Sequence, residues 1–389
     1  MTRNAAVLGA GPGGLAGAIA LAQAAMAVTV FERAPQLEEV GAGLQLSPNA
    51  CHALEAIGAR AAIEAVAIAP PQAQLRSGRD DRLIFANPLG DIAIARYGAP
   101  YLHLHRADLQ HVLAQRAQAA GADLRLGVAV ARVGPDGGVQ LETGEALVFD
   151  LVLAADGVRS SVRQHWFDGA APRFTGQAAW RALVPRELAQ PSPAGVTVWA
   201  GPQRHLVAYD LGPNRGLNLV AVTERSAWVE PDWRQRGDPQ ELRAAFADFP
   251  AAARRLLEPV ADCQFWGLFD HAPLPHWVRG KIALLGDSAH PMLPFLAQGA
   301  AMAIEDAAIL GLCLQADPEI ETALARYQRQ RRPRTARVQA VSRANAKLFH
   351  AAGLRASLQH GAIALVNHMA PGLGQARLDW VYGWRPALD

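Results

Sequence analysis

Cysteine is scarce in this chain: Cys51, Cys263 and Cys313 are the three among 389 residues. An odd number of widely spaced thiols argues against a disulfide framework and against a zinc site, and points to a reducing compartment. Charge of one sign is also lacking, with 37 Lys and Arg against 35 Asp and Glu, a net +2. No general attraction to nucleic acid or anionic lipid follows from that balance. The one basic run, Arg329-Gln330-Arg331-Arg332-Pro333-Arg334, lies in a helical stretch and reads as a solvated face or a subunit contact. No apolar run approaches the length of a membrane span, and no charged leader precedes the first strand, so a soluble cytoplasmic protein is expected. Internal repeats and low-complexity segments are missing as well.

What is present is an ordinary globular composition, 51% hydrophobic, in a chain long enough for two or three core-bearing regions. At the N-terminus, Ala5-Ala6-Val7-Leu8 reads as a short buried strand, followed by Gly9-Ala10-Gly11-Pro12-Gly13-Gly14 and a helical run through Ala24. In a dinucleotide-binding turn, Gly9 permits the tight bend, Gly11 lets the backbone approach a pyrophosphate, and Gly14 lets the helix pack on the strand. A second strand, Val28-Thr29-Val30-Phe31, delivers Glu32 where a carboxylate binds both ribose hydroxyls; Arg33 beside it is grouped with the cofactor residues. A glycine triplet alone says little. Strand, triplet, helix, strand and acid in this order say much more.

A second segment, from Leu284 to Ala307, runs from a buried strand into Gly286-Asp287, then through a loop broken by Pro291 and Pro294, to Gly299 opening an alanine-rich helix. A helix N-terminus carries about half a positive charge and free N–H groups. It suits an electron-rich ring that becomes an anion, as reduced flavin does. Gly299 and Ala300 are the N–H donors placed for that task, acting as a preorganised oxyanion site would.

Between these segments, Gly41-Ala42-Gly43-Leu44-Gln45-Leu46-Ser47-Pro48-Asn49-Ala50 leads into a helix with Ser47 as N-cap and Pro48 at its first position. Strand-like residues from about 72 to 87 interrupt the dinucleotide fold, and short alternating strands occupy 123–142. Leu151 to Ala155 form a buried strand ending in Asp156-Gly157. From about 172 to 273 the pattern turns β-rich, as in Val196-Thr197-Val198-Trp199. The α/β pattern resumes at Lys281, and from about 319 the chain is helical. The predicted division is a discontinuous cofactor domain (1–71, 101–171 and 276–320), a β-rich substrate domain (72–100 and 172–275) and a C-terminal helical region (321–389).

Together the Gly9–Gly14 turn with Glu32, Asp156-Gly157, and Gly286-Asp287 through Ala307 resemble the single-component flavoprotein aromatic hydroxylases. Thr175-Gly176-Gln177-Ala178-Ala179-Trp180-Arg181, Gly201-Pro202-Gln203-Arg204-His205 and Leu378-Asp379-Trp380-Val381-Tyr382-Gly383-Trp384 resemble the branch of salicylate, 3-hydroxybenzoate and 6-hydroxynicotinate hydroxylases. The resemblance spans essentially the whole chain. It implies an α/β fold, with a Rossmann-like FAD-binding domain of the p-hydroxybenzoate hydroxylase type, an inserted β-sheet substrate domain and C-terminal helices. It also implies FAD, NADH or NADPH as a diffusing reductant, and oxygen captured as a flavin hydroperoxide. By the same resemblance, Asp156 and Gly157 lie near the pyrophosphates, Asp287 binds ribityl or ribose hydroxyls, Arg106 contacts the FAD chain, and the Pro294 carbonyl faces the substrate. One departure is Ala25, where the family usually has a helix-ending glycine, at a small capping cost.

Electrophilic hydroxylation needs an electron-rich ring, hence a base to take a phenolic proton. His205 and Tyr209, four apart in one strand, share a face, and the resembled branch carries His and Tyr at this spacing. A satisfied sheet histidine with a neighbouring tyrosine is the alternative. Gln45 stands where hydroxynicotinate enzymes carry a histidine, which weakens that substrate; it lines the ring pocket or makes a plain loop contact. His103 and His105 read as structural, and no metal site is predicted. His290 reads as a loop cap, and Arg181 as an interdomain contact or a partner for a substrate carboxylate. The predicted activity is hydroxylation of a small phenolic or N-heteroaromatic acid by a monomer or homodimer. The alternatives are a non-hydroxylating flavin oxidoreductase or an epoxidase on a larger substrate, and a plain NAD-binding protein, against which the Gly286-Asp287 segment argues.

Overall fold

A computed structural model describes residues 2–37, 43–167, 171–189, 195–228, 235–369 and 371–389. Gly41 and Ala42 of the glycine-rich stretch before Gln45 lie outside the described residues. The strand Asn4–Leu8 is buried almost throughout and sits near the middle of a six-stranded sheet. The order across that sheet is Val278–Arg279, Ile282–Leu284, Leu151–Ala154, Asn4–Leu8, Ala27–Glu32 and Asp123–Leu126. Only the first pair is antiparallel. Such a sheet is covered on both faces, which is why its strands are continuous runs of Ala, Val, Leu and Ile rather than alternating ones.

Two alanine-rich helices, Pro12–Gln23 and Gly299–Ala316, pack on this sheet and on each other. Small side chains permit the close approach: a Cβ on Gly311 would stand 3.0 Å from that of Ala20, and one on Gly17 would stand 2.6 Å from Leu153. Contrary to the sequence expectation, the 18-residue helix Gly299–Ala316 has the length and mean hydropathy, 1.4, of a membrane span. Its apolarity has a different cause, since 72% of it is buried inside the fold.

An eight-stranded sheet collects Gln72–Ser77 and Leu83–Pro88 from one stretch of the chain and six strands between Arg173 and Asp270 from another. One face carries Trp180, Trp199, Leu206 and Leu219 against Phe246 and Leu256, around the helices Pro239–Ala245 and Ala251–Leu257. The opposite face carries Ala179, Val220 and Val222 and meets Leu293 and Phe295 from the loop before Gly299. The sheet therefore closes over the loop that precedes the buried helix.

The chain ends in a 30-residue helix, Ile320–Phe349, and the shorter helices Gly353–Met369, Pro371–Ala376 and Asp379–Tyr382. The last of these is locked down by Asp379, which accepts from Arg96 at 2.6 and 2.9 Å and from the Tyr97 hydroxyl at 2.9 Å. Trp384 lies against the Arg331 and Arg334 guanidinium groups, at 5.2 and 4.9 Å. All three cysteines are free and buried.

Candidate active site

At the first βα turn, Gly9 has φ +98° and a Cβ there would stand 2.7 Å from the Ala155 carbonyl oxygen. A Cβ on Gly14 would stand 2.0 Å from the Gly9 carbonyl oxygen, so the helix passes the turn only because both residues are glycine. Gly11 is different: a Cβ there would meet nothing within 4 Å. Its neighbourhood is an open cradle at the N-terminus of Pro12–Gln23, the setting in which a pyrophosphate is held by free N–H groups. Glu32 accepts from the Ala10 N–H at 2.8 Å and from Ala34 at 2.9 Å, which aims its carboxylate at this turn. Arg33 is exposed.

The second and third segments are tied to each other. Ser288 Oγ donates to Asp156 at 3.1 Å and accepts from the Gly157 N–H at 2.9 Å. Gly157, at φ +81°, has open space where a Cβ would be, as Gly11 has. Arg163 is buried and donates to the Ser288 and Ala289 carbonyls at 3.1 and 2.9 Å. With no carboxylate beside it among the described residues, burial brings its pKa down to about 10. Asp287 is exposed to solvent, with protein packed around its carboxylate. That setting raises its carboxyl above the usual range, and His290 and Arg106 oppose the rise. Arg106, exposed at the start of the helix Arg106–Ala119, is close enough to act on that carboxylate. Open cradles at Gly11 and Gly157, two helix N-termini and an exposed acid beside them fit a long dinucleotide such as FAD.

The loop from Pro291 to Gln298 is held from behind by the long C-terminal helix. Gln339 donates to the Pro291 carbonyl at 2.8 Å, Ser342 to Leu293 at 2.6 Å and Asn345 to Phe295 at 2.9 Å. Pro294 is exposed; its carbonyl accepts from the Ala297 N–H at 3.1 Å, which leaves one lone pair for another donor. Gly299 and Ala300 are half-buried at the helix start, where N–H groups have no intrahelical acceptor. Gln298 turns inward and donates to Ser47 at 2.8 Å. Ser47 does occupy the N-cap position ahead of Pro48, but its hydroxyl makes no cap bond and joins Gln298 and Asn49 instead.

Beneath this loop lies a charged interior absent from the sequence reading. Glu305 and Asp306, fully buried, meet Arg331 at 2.7 Å each, and Arg334 meets Glu305 at 2.7 Å. Asp306 also accepts from the Gly286 N–H at 3.1 Å and pairs with His290 at 2.5 Å. The basic run read as a solvated face or subunit contact is therefore corrected. Two of its arginines point inward, because two adjacent acids in an apolar helix need cations when buried. The pair Glu305-Asp306 was the available signal. His290 is a partner of Asp306 rather than a loop cap.

On the face of the eight-stranded sheet that meets Leu293 and Phe295, His205, Val207 and Tyr209 lie together, with Val207 and Arg181 opposite Val220 on its two sides. Four strand residues put His205 and Tyr209 about 13 Å apart, so they are the two ends of a site and not a contacting pair. His205 is buried, with Nδ1 2.7 Å from His350 Nε2 and its ring against Phe295 and Phe349, each 5.2 Å away. Burial and the neighbouring His350 hold its pKa well below the ordinary value. Tyr209 packs on His103 at 4.9 Å, and burial pushes its phenol up to about 12, opposed by Arg181 and Gln45. Gln45, in the strand Gly43–Leu46, also accepts from the Tyr101 hydroxyl at 2.6 Å. His103 is fully buried with Nδ1 3.2 Å from the Asp210 carbonyl, and His105 caps the helix of Arg106. Arg181 stacks over Trp266 at 5.3 Å and has no carboxylate partner among the described residues.

A family model described as FAD binding domain matches residues 2–342. Among curated relatives, 3-amino-4-hydroxybenzoate 2-monooxygenase of Streptomyces cremeus is 38% identical, over 89% of this chain and 87% of its own. 3-Hydroxybenzoate 6-hydroxylase 1 of Aquipseudomonas alcaligenes is 35% identical over 98% of both chains. A solved salicylate hydroxylase substrate complex superimposes with a TM-score of 0.81 at 24% identity, covering 100% of this chain and 99% of that one, and shares the fold.

Proposed function

This chain belongs to the FAD binding domain family, and from that premise we propose that it hydroxylates a small phenolic or N-heteroaromatic acid, using NADH or NADPH and oxygen. It is an FAD-dependent aromatic monooxygenase, built on the α/β flavoprotein hydroxylase fold. The observation that carries the substrate class is the sheet face itself. A guanidinium without a carboxylate, Arg181, stands across a valine floor from a buried base at one end, His205, and a buried phenol at the other, Tyr209. That is the outline of an aromatic ring with an acid group and a hydroxyl.

Gly9, Gly11, Gly14, Glu32, Asp156, Gly157, Gly286 and Asp287, with Arg33 and Arg106 at the rim, would hold FAD, which would supply oxygen activation when reduced. The chain does the rest. Arg181 orients the substrate carboxylate, with the delocalised charge and planar donors suited to it. His205, kept neutral by burial, has Nε2 free to accept the phenolic proton. Tyr209, kept protonated by burial, donates to the far end of the ring, with Gln45 fixing its direction. The Gly299 and Ala300 N–H groups, at the start of their helix, would meet the reacting end of the cofactor, and the Pro294 carbonyl would line the substrate side. The eight-stranded sheet is thus the substrate half and the six-stranded sheet the cofactor half of one crevice, in a cytoplasmic monomer or homodimer.

The test is a screen of hydroxylated benzoates and hydroxypyridine carboxylates with the yellow holoenzyme, scoring stimulated NADH oxidation, hydroxylated product and peroxide release. Arg181→Met should raise KM for the acid about 100-fold while leaving a neutral phenol of the same shape unaffected. His205→Ala should cut hydroxylation far more than flavin reduction. An unchanged product yield would remove His205 from the chemistry, and no stimulation by any aromatic acid would overturn the substrate class.

A further inference from the structure

A base buried as deeply as His205 must pass on the proton it takes, since an imidazolium in an apolar pocket is costly. The hydrogen bonds around it lead away from the crevice. His205 Nδ1 is 2.7 Å from His350 Nε2, and His350 Nδ1 is 3.0 Å from Glu224 Oε1. Glu224 is 42% exposed and, with Gln177, Gln203 and Arg225, lines an open polar cavity of about 520 Å³ at the ends of these strands. His350 ends the helix Ile320–Phe349, and its carbonyl accepts from the Gln203 N–H at 3.3 Å, which fixes it beside the strand of His205. Gln177 Nε2 lies farther from the same nitrogen, at 3.3 Å, and as a donor itself takes no part in the bond from His350 Nδ1 to Glu224.

We propose that His350 and Glu224 form a proton relay that carries the substrate's phenolic proton from His205 to the solvent of the Gln203 cavity. The inference rests on His205 being the base. In the resting arrangement, His205 and His350 each carry hydrogen on Nδ1. When the phenol O–H bond breaks, its proton bonds to His205 Nε2. The His205 Nδ1 proton moves to His350 Nε2, the His350 Nδ1 proton moves to Glu224, and Glu224 releases it to water. One proton leaves the phenol and one enters solvent, with both imidazoles neutral and their tautomers inverted. The reverse passage, as the product phenol reforms, restores them. Burial holds both imidazoles below their ordinary pKa, so each keeps one donor and one acceptor nitrogen, as a relay requires.

The test mixes oxidised holoenzyme with 3-hydroxybenzoate in a stopped-flow cell and follows the phenolate absorbance of the bound ligand. His350→Ala should slow phenolate formation roughly tenfold or more, and imidazole added to the buffer should restore it through the open cavity. His350→Gln, which keeps a hydrogen bond but cannot relay, should be equally slow, and Glu224→Gln should be slowed with retained FAD content. Wild-type rates in His350→Ala and His350→Gln, with His205→Ala still slow, would overturn the relay and leave the base in place. Wild-type rates in His205→Ala would overturn the base and the relay together. Slow His350 variants that imidazole does not restore, with Glu224→Gln at the wild-type rate, would show a packing role and overturn the relay.

Discussion

Arg331 and Asp306 meet at 2.7 Å in the interior, 1% and 0% exposed, and the same carboxylate holds the backbone of Gly286. The pair connects the long C-terminal helix to the loop that carries Asp287. Removing the cation leaves Asp306 and Glu305 with less compensation in a place water does not reach. Arg331→Met should therefore cost about 3–5 kcal/mol of unfolding free energy, measured by urea denaturation of the apoprotein. Adding Asp306→Asn to that variant should recover part of the loss. A cost below about 1 kcal/mol would contradict the reading.

Gly11 and Gly14 should respond to the same substitution in opposite ways. Gly14→Ala drives a Cβ to 2.0 Å from the Gly9 carbonyl oxygen, so the turn must open and the protein lose several kcal/mol, on the order of other overpacked cores. Gly11 has φ −71° and empty surroundings, so Gly11→Ala should keep or slightly raise apoprotein stability. Its methyl group instead occupies the cradle, and FAD affinity should fall by about 100-fold, measured by quenching of flavin fluorescence. Full FAD affinity in Gly11→Ala would move the pyrophosphate elsewhere.

The backbone geometry at Gly9, Gly14, Gly157 and Gly286 was legible in sequence because each turn depends on residues a few positions apart, where conformation dictates residue type. The charged interior was not, since Arg331 and Arg334 look like any basic helix face until the acids at 305 and 306 are known to lie under them. His350 was illegible for a similar reason. It is 145 positions from His205, in a helix whose path across the sheet follows from packing and not from local pattern. Ser47 shows a subtler limit: the cap position was readable, but its hydroxyl is claimed by Gln298 and Asn49, which approach from other segments.

Ala25 ends the first helix at φ +59°, with Met26 N–H bonded to the Leu21 carbonyl at 3.2 Å, in the left-handed turn that glycine adopts without strain. It is exposed, so a substitution there disturbs no packing. Ala25→Gly should stabilise the protein by about 1 kcal/mol, since the left-handed conformation costs an alanine roughly that much. Thermal unfolding should show a rise of a few degrees at most, with FAD binding unchanged. A loss of stability would mean that unfolded-chain entropy outweighs the relief of strain.

Buried histidines set the pH dependence of stability. His103 is fully buried between Tyr101 and Tyr209, and burial brings its pKa from 6.5 down to about 3. Below about pH 6.5 the unfolded chain takes up a proton at this residue that the native protein refuses. Stability is therefore fully present above that pH and lost as pH falls toward the folded value, by up to about 1.4 kcal/mol per pH unit for each such histidine. His205 and His350 are lowered too and act in the same direction. Urea unfolding at several values from about pH 8 to about pH 5 should show the decline. His103→Gln should flatten the slope by about one histidine's share, whatever it does to stability at neutral pH, and an unchanged slope would show that His103 protonates in the native state.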